Sequence, residues 1–161
     1  MALFEVTKTV RNRIGLQVRN HAKTDLSLIN ALVRNTMFGR NKHRAKQDHL
    51  VLLVDDDKGQ LDVFATWMAA IRPSADIRTA TSVEEGLDLI TTHTFSLIIS
   101  DYSIPHAGAG LDIFEAAIQS GIPKSNFIML SGTTDNLPDE IRLVSKGDLV
   151  ALETAIQQAL P

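Results

Sequence analysis

The sequence contains no cysteine, and this absence excludes disulfide bonds, thiolate catalysis and cysteine-ligated metal sites. It also lacks a run of about eighteen apolar residues, the length that a membrane-spanning helix requires. Residues 1–13 contain no apolar segment of the kind found in secretory signal peptides. The default expectation is therefore a cytoplasmic protein without a membrane anchor.

Basic residues are scarce over most of the chain and concentrated at its start. The net charge is −3 over 161 residues. Residues 1–48 contain ten Lys and Arg against three Asp and Glu, whereas residues 49–161 contain six against sixteen. Such a basic segment is compatible with an anionic partner or with a solvated extension, and the second is the more common case. We divide the chain into an N-terminal extension, 1–48, and a main domain, 49–161.

Polar residues follow four short apolar runs at the point where each run ends. The runs are residues 51–54 before Asp55, Asp56 and Asp57, residues 95–100 before Asp101, residues 127–130 before Ser131, and residues 141–144 before Ser145 and Lys146. Each run has the length and composition of a strand buried on both faces. Open α/β sheets have their sites at the edge where such strands end. We expect the acids, the hydroxyl and the lysine to gather there.

Helical periodicity separates these runs. Apolar residues recur with helical spacing over residues 61–71, 83–90, 111–118 and 149–160, and a short strand around residues 76–79 completes the alternation. An alternation of strands and helices predicts an α/β fold with a parallel sheet and helices on both faces.

The residues at the strand ends suit a carboxylate that accepts a phosphoryl group. Asp55 and Asp56 offer the hard oxygen ligands that Mg²⁺ prefers. Asp101 is the candidate nucleophile, because aspartyl-phosphate chemistry uses a carboxylate in this way. Ser131 and Lys146 are candidates to bind the phosphoryl oxygens, since this transfer depends mostly on positioning and charge neutralisation.

Asp55, Asp56, Asp101, Ser131 and Lys146 follow one another along the chain in an order that resembles the receiver domain of two-component response regulators. Asp101 follows Asp56 by 45 residues, Pro105 lies four positions further on, and Gly110 stands where the next helix begins. The resemblance covers about residues 50–160. It implies a flavodoxin-like, doubly wound sheet of five parallel strands in the order 2-1-3-4-5.

The resemblance also implies roles. Asp101 would be phosphorylated by a histidine kinase or a phosphotransfer protein, with Mg²⁺ bound by Asp55, Asp56 and Asp101 and by the backbone carbonyl of Ser103. Helix capping is the alternative role for each acid, because Asp is favoured at helix starts. We expect Asp57 to face solvent or the start of the following helix.

The interval between Ser131 and Lys146 departs from the family. It spans only fifteen positions, too few for two loops, a strand and a helix of about ten residues. We predict that the helix between the fourth and fifth strands, the fourth helix of the family and here called the crossover helix, is absent or about one turn long. Leu143 replaces the aromatic switch residue of the family, and Gly147 replaces the proline that usually follows the lysine.

Residues 1–48 predict two amphipathic helices. The second covers residues 16–38, ends at Gly39, and has an apolar face formed by Ala22, Leu26, Ile29, Val33 and Met37. A helix with so wide an apolar face is expected to pack on the main domain or to form a homodimer. Residues 21–32 faintly resemble the phosphoacceptor helix of histidine kinases, although His21 lies one position out of register. A DNA-binding pair of helices is a further alternative, although the sequence shows no clear recognition helix.

These observations favour a stand-alone response regulator that signals through changed protein contacts. It would be a phosphoacceptor switch with slow autodephosphorylation and not a metabolic enzyme. One alternative is an interaction or dimerisation module that works without phosphorylation. Another is a phosphatase resembling haloacid dehalogenases, with Asp55 and Asp57 as its paired acids, although Gly59 and the short chain disagree with that pattern.

Overall fold

The computed structural model describes residues 49–132 and 137–160 of the chain. The strands in this part are β1 (His49–Val54), β2 (Ala75–Ala80), β3 (Leu97–Asp101), β4 (Phe127–Ser131) and β5 (Arg142–Ser145). The helices are α1 (Lys58–Ile71), α2 (Val83–Thr92), α3 (Gly110–Gln119) and α4 (Leu149–Ala159), and a short 3₁₀ helix, Lys124–Asn126, precedes β4. The two predicted N-terminal helices, the role of His21 and the proposed homodimer contacts lie outside the described residues.

The five strands form one sheet in the order β2-β1-β3-β4-β5, and all neighbouring pairs are parallel. This confirms the predicted fold class and strand order. Every residue of the central strands β3 and β4 is buried, which explains why their sequences are continuous apolar runs without alternation.

Each face of the sheet has its own apolar core. Successive strand residues point to opposite faces, so that Leu53 joins one core and Leu52 the other. Helices α1 and α4 cover the first core, in which Met68 and Ile156 are fully buried. Helices α2 and α3 cover the second core, where the rings of Phe114 and Phe127 meet edge to face.

Helix α2 begins after Ser82, its N-cap residue. Ser82 Oγ accepts a hydrogen bond from the Glu85 backbone N–H at 3.1 Å. The Glu85 carboxylate reaches back and accepts from the backbone N–H of Thr81 at 2.7 Å. The first bond satisfies a donor that the first turn of a helix leaves free, and the second ties the residue before the N-cap to that turn, so Ser82 fixes where α2 starts.

The connection from β4 to β5 confirms the prediction for the crossover helix. Gly132 and residues 137–141 are not helical, and the four residues between them are enough for only about one helical turn. The Ile141 N–H donates to the Pro138 carbonyl at 3.0 Å, and the Ile141 side chain is buried in the second core. This turn delays the start of β5 to Arg142, one residue later than the apolar run predicts.

Over residues 49–132 and 137–160, no helix combines the length and the apolar character that crossing a bilayer requires.

Candidate functional site

The ends of four strands bring the candidate residues to one edge of the sheet. Asp55 follows β1, Asp101 ends β3, Ser131 ends β4 and Lys146 follows β5. Asp55, Asp101 and Ser131 are buried, which is unusual for polar residues and indicates a compact polar site.

Three carboxylates meet at this edge. One oxygen each from Asp55, Asp56 and Asp101 lies within 4.8 Å of the other two. The side chains of Asp55 and Asp101 are 4% and 7% exposed, whereas Asp56 is exposed. The group is therefore a cluster of acids with one side open to solvent.

Lys146 links two of these acids. Its Nζ donates to Asp101 Oδ2 at 2.7 Å and to Asp55 Oδ2 at 3.0 Å. Its backbone N–H donates to the Ser131 carbonyl at 2.9 Å, which fixes the residue beside the end of β4. An ammonium between two buried carboxylates reduces their mutual repulsion.

Burial and charge act in opposite directions at this cluster. Burial raises the pKa of Asp55 above its usual value of 3.8, although the backbone N–H of Asp57 and the ammonium of Lys146 partly offset this effect. Burial also lowers the pKa of Lys146, but the hydrogen bonds to Asp101 and Asp55 outweigh it and leave that pKa above 10.5. The hydrogen bonds and the Lys146 ammonium therefore do not fully offset the cost of burying the ionised Asp55 carboxylate. Lys146 stays charged at neutral pH.

Asp57 turns away from the cluster. Its Oδ1 accepts from the backbone N–H groups of Gly59 at 2.8 Å and Gln60 at 3.1 Å, so it is the N-cap of α1. The hydrogen bonds from Gln60 lower the pKa of Asp57, which remains exposed. The sequence expectation that Asp57 faces solvent or the helix start agrees with this position.

The donor set suits a hard divalent cation. Mg²⁺ prefers hard oxygen ligands and retains several waters, and the clustered carboxylates provide such oxygens beside a side that is open to solvent. Ser103 follows β3 by two residues, and its backbone forms an isolated antiparallel bridge with Ala107. The Tyr102 carbonyl in this loop accepts from the N–H groups of Gly108 and Gly110, both at 3.1 Å.

Gly110 positions the loop against the acid that precedes it. A Cβ atom on Gly110 would lie 2.2 Å from the backbone carbonyl oxygen of Asp101 and 3.0 Å from Met129 Sδ. Only glycine allows α3 to approach the end of β3 so closely. The sequence resemblance includes Gly110 in its motif, whereas the reason for the glycine is visible only in the structure.

Sequence patterns did not indicate one neighbour of the site, Trp67. This residue of α1 is 2% exposed. It lines a small cavity of about 10 Å³ beneath the acids, and Asp55 lines the same cavity. Helical periodicity over residues 61–71 favours Leu61, Phe64 and Met68 as the core face and leaves out Trp67, which the structure nevertheless buries in the first core.

Two departures from the family motif lie beside Lys146. Leu143 is in β5, is half-buried in the second core, and pairs in register with Met129 of β4. Gly147 follows the lysine, and a Cβ atom there would meet no atom within 4 Å. The Ile104–Pro105 peptide bond after Asp101 is cis.

Comparison with known proteins gives one consistent family. A family model described as the response regulator receiver domain matches residues 51–152. Among curated proteins, none matches the chain.

Solved structures of receivers share the fold. The receiver domain of the hybrid histidine kinase CckA is 22% identical, with a TM-score of 0.56 over 70% of this chain and 99% of that one. The chemotaxis protein CheY4 of Vibrio cholerae is 21% identical, with a TM-score of 0.54 over 70% and 98%. The response regulator TrrA of Thermotoga maritima, solved in complex with Mg²⁺-BeF, is 19% identical, with a TM-score of 0.56 over 70% and 99%.

Proposed function

This chain belongs to the response regulator receiver domain family, and from that premise we propose that Asp101 accepts a phosphoryl group from a histidine kinase or a phosphotransfer protein. The observation that supports this most directly is the environment of Asp101. Its carboxylate ends β3 at the polar edge of the sheet, lies beside two further acids, and is 2.7 Å from the Lys146 ammonium. A nucleophilic carboxylate needs such neighbouring groups to accept an anionic substrate.

In the proposed step, an Asp101 oxygen attacks the phosphorus atom of a phosphohistidine on the donor protein. An O–P bond forms and the P–N bond breaks. The electron pair of the P–N bond remains on the imidazole nitrogen of the donor. Lys146 is placed to transfer its hydrogen bond from Asp101 to a phosphoryl oxygen, where it neutralises charge. The hydroxyl of Ser131 at the end of β4 is the second group assigned to the phosphoryl oxygens.

We assign Mg²⁺ to Asp55, Asp56 and Asp101, with the Ser103 backbone carbonyl as a further ligand. Their clustered oxygens support this assignment. When bound, the ion supplies positive charge that offsets the acids and the incoming phosphoryl group. The raised pKa of Asp55 also supports a cation at this site, because a nearby positive charge favours the ionised form of a buried carboxylate.

The proposed protein is a switch and not a metabolic enzyme, with water slowly hydrolysing the acyl phosphate on Asp101. A phosphatase resembling haloacid dehalogenases would need Asp57 to face the substrate beside Asp55. Asp57 instead caps α1, because its Oδ1 accepts hydrogen bonds from the backbone N–H groups of Gly59 and Gln60. The proposed location of this switch, together with its partner kinase or phosphotransfer protein, is the cytoplasm.

The proposed output differs from that of typical receivers. Leu143 stands where the family has an aromatic switch residue, and the described part of the β4–β5 connection contains no helix. Phosphorylation would therefore change protein contacts through other surfaces. The homodimer expected from residues 1–48 is part of this proposal.

Binding of beryllofluoride tests the acceptor site without a partner protein. NMR spectra of the full chain are recorded with Mg²⁺, before and after beryllofluoride is added, for wild type and Asp101→Ala. We expect shifts at Asp101, Ser131 and Lys146 in wild type only. Unchanged wild-type spectra, or equal shifts in both proteins, would contradict the proposal. A normal site response with unchanged oligomeric state and partner affinity would instead favour a module that works without phosphorylation.

A further inference from the structure

Four half-buried apolar side chains of α3, of the β4–β5 connection and of β5 pack against the second core, and they are here called the α3–β5 strip. Leu111 and Ile118 lie one above the other on α3, seven positions apart, while Leu137 and Leu143 belong to the β4–β5 connection and to β5.

Met129 joins the two halves of the strip. It is fully buried in β4 and pairs in register with Leu143 of β5. Its Sδ lies 3.0 Å from the position that a Cβ on Gly110 would occupy, next to Leu111. The strip therefore crosses β4 from α3 to β5 without a polar interruption at this point.

The short β4–β5 connection leaves the strip partly exposed. Among residues 137–141 only Ile141 is buried, and its side chain belongs to the second core. No helix in residues 137–141 covers Leu143, so β5 lacks on this face the cover that α4 gives it on the other.

Three exposed acidic residues lie close in sequence to members of the strip. Asp112 and Glu115 on α3 and Asp139 in the β4–β5 connection are exposed, and none of them has an ion pair with another described residue. Glu115 stands between Leu111 and Ile118 on the helix surface, four and three positions away. The strip thus combines an apolar centre with an unneutralised negative rim.

One segment of this chain matches that surface in its apolar pattern and its charge. Helical spacing in the sequence predicts one apolar face over residues 16–38, formed by Ala22, Leu26, Ile29, Val33 and Met37. The segment contains three basic residues against one acid, and residues 39–48 contain four against one. A basic amphipathic helix is the complement of an apolar strip with an acidic rim.

The connecting residues are long enough for the segment to reach the strip within the same chain. Residues 39–48, which precede β1, can span up to about 33 Å. Strands β1 and β5 are three sheet positions apart, a distance of roughly 14 Å at about 4.8 Å per strand.

We propose that residues 16–38 dock in cis across the α3–β5 strip and take the place of the missing crossover helix. This inference goes beyond the phosphoacceptor function and does not depend on it, because it rests on packing and charge away from the acids. The docked segment would bury Leu111, Ile118, Leu137 and Leu143, and would bring its basic residues to Asp112, Glu115 and Asp139.

A spin label tests this docking in the full chain. The sequence has no cysteine, so Ser27→Cys provides a single attachment point in the segment. We expect the methyl signals of Leu111, Ile118 and Leu143 to broaden several-fold more than the signal of Val150, which is exposed on α4. Broadening centred on Val63 of α1 or on Val150, or none on the strip, would overturn the proposal.

A mixed sample separates docking in cis from docking on a second copy. Spin-labelled chains without isotopes are mixed with isotope-labelled chains that have no spin label. Docking in cis predicts no strip broadening in the mixture, and strip broadening in the mixture would overturn it. The double variant Leu26→Glu with Ile29→Glu should remove strip broadening, whereas Ala31→Glu, on the opposite side of the segment, should preserve it. Persistence in the double variant would also contradict the proposal.

Discussion

The backbone carbonyl oxygen of Asp101 lies 2.2 Å from the point where a Cβ on Gly110 would stand. Atoms this close cannot coexist, and the obstacle is backbone and not the end of a flexible side chain. The first residue of α3 and the last residue of β3 are therefore packed against each other at the acidic site.

Gly110→Ala tests this packing. Alanine is the better helix former, by about 1 kcal/mol in a helix interior and by less at a first position such as that of Gly110, so propensity alone would stabilise the protein. The clash should reverse that sign and lower the free energy of unfolding by about 1–3 kcal/mol. Urea unfolding measures the change, and Gly147→Ala is the matched control, because its Cβ meets no atom within 4 Å. Equal effects at the two glycines would show that the close approach is not limiting.

Replacing Asp55 tests the cost of its buried charge. The folded-state pKa of Asp55 is raised by burial, so the folded protein binds more protons than the unfolded chain at pH values just above 3.8. Stability therefore falls as the pH rises through 3.8 and then through the raised pKa. Without divalent cations, Asp55→Asn should be more stable than wild type at pH 7, and this gain should vanish below the usual pKa.

Denaturant unfolding at a series of pH values, in buffer with EDTA, measures the Asp55 effect. Asp62→Asn is a suitable control, since Asp62 is exposed and pairs only with Lys58 among the described residues. An Asp55→Asn variant that is less stable than wild type at neutral pH would contradict the account of the cluster.

Trp67 reports on metal binding at the acids. It is the single tryptophan of the chain and lines the same small cavity as Asp55. Titration with Mg²⁺ should change its fluorescence in wild type, and EDTA should reverse the change. Asp55→Asn and Asp56→Asn should weaken the apparent affinity at least tenfold, because each removes a charged oxygen ligand. An unchanged affinity in both variants would exclude these acids as the metal site.

Ser82→Ala tests the start of α2. Loss of the bond from the Glu85 N–H should lower the free energy of unfolding by about 1 kcal/mol. Ser82→Asp keeps a capping oxygen and should retain most of the stability. Thermal unfolding of the three proteins measures both effects, and a Ser82→Asp variant as unstable as Ser82→Ala would show that capping is not the cause.

The sequence predicts the sheet because its signals are local. Apolar runs such as residues 127–130 end in polar residues, and helical periodicity lies between them, so the alternation of strands and helices follows. The strand order comes from the resemblance to receiver domains, and the structure confirms it. The shortened β4–β5 connection is equally predictable, because chain length limits what fifteen positions can hold.

The contacts inside the site do not follow from the sequence. That Lys146 binds Asp55 and Asp101 at once depends on where β5 ends relative to β1 and β3. The close approach of Gly110 and the burial of Trp67 depend on packing between elements distant in sequence. Such features arise from tertiary geometry, which no spacing rule encodes.

The most direct test of the central claim is covalent phosphorylation of Asp101. The full chain is incubated with acetyl phosphate and Mg²⁺ and analysed by intact mass spectrometry, beside Asp101→Asn and a wild-type sample with EDTA. The account predicts the addition of one phosphoryl group to wild type with Mg²⁺, and none to Asp101→Asn or to the EDTA sample. An unmodified wild-type protein, or the same addition to Asp101→Asn, would contradict it.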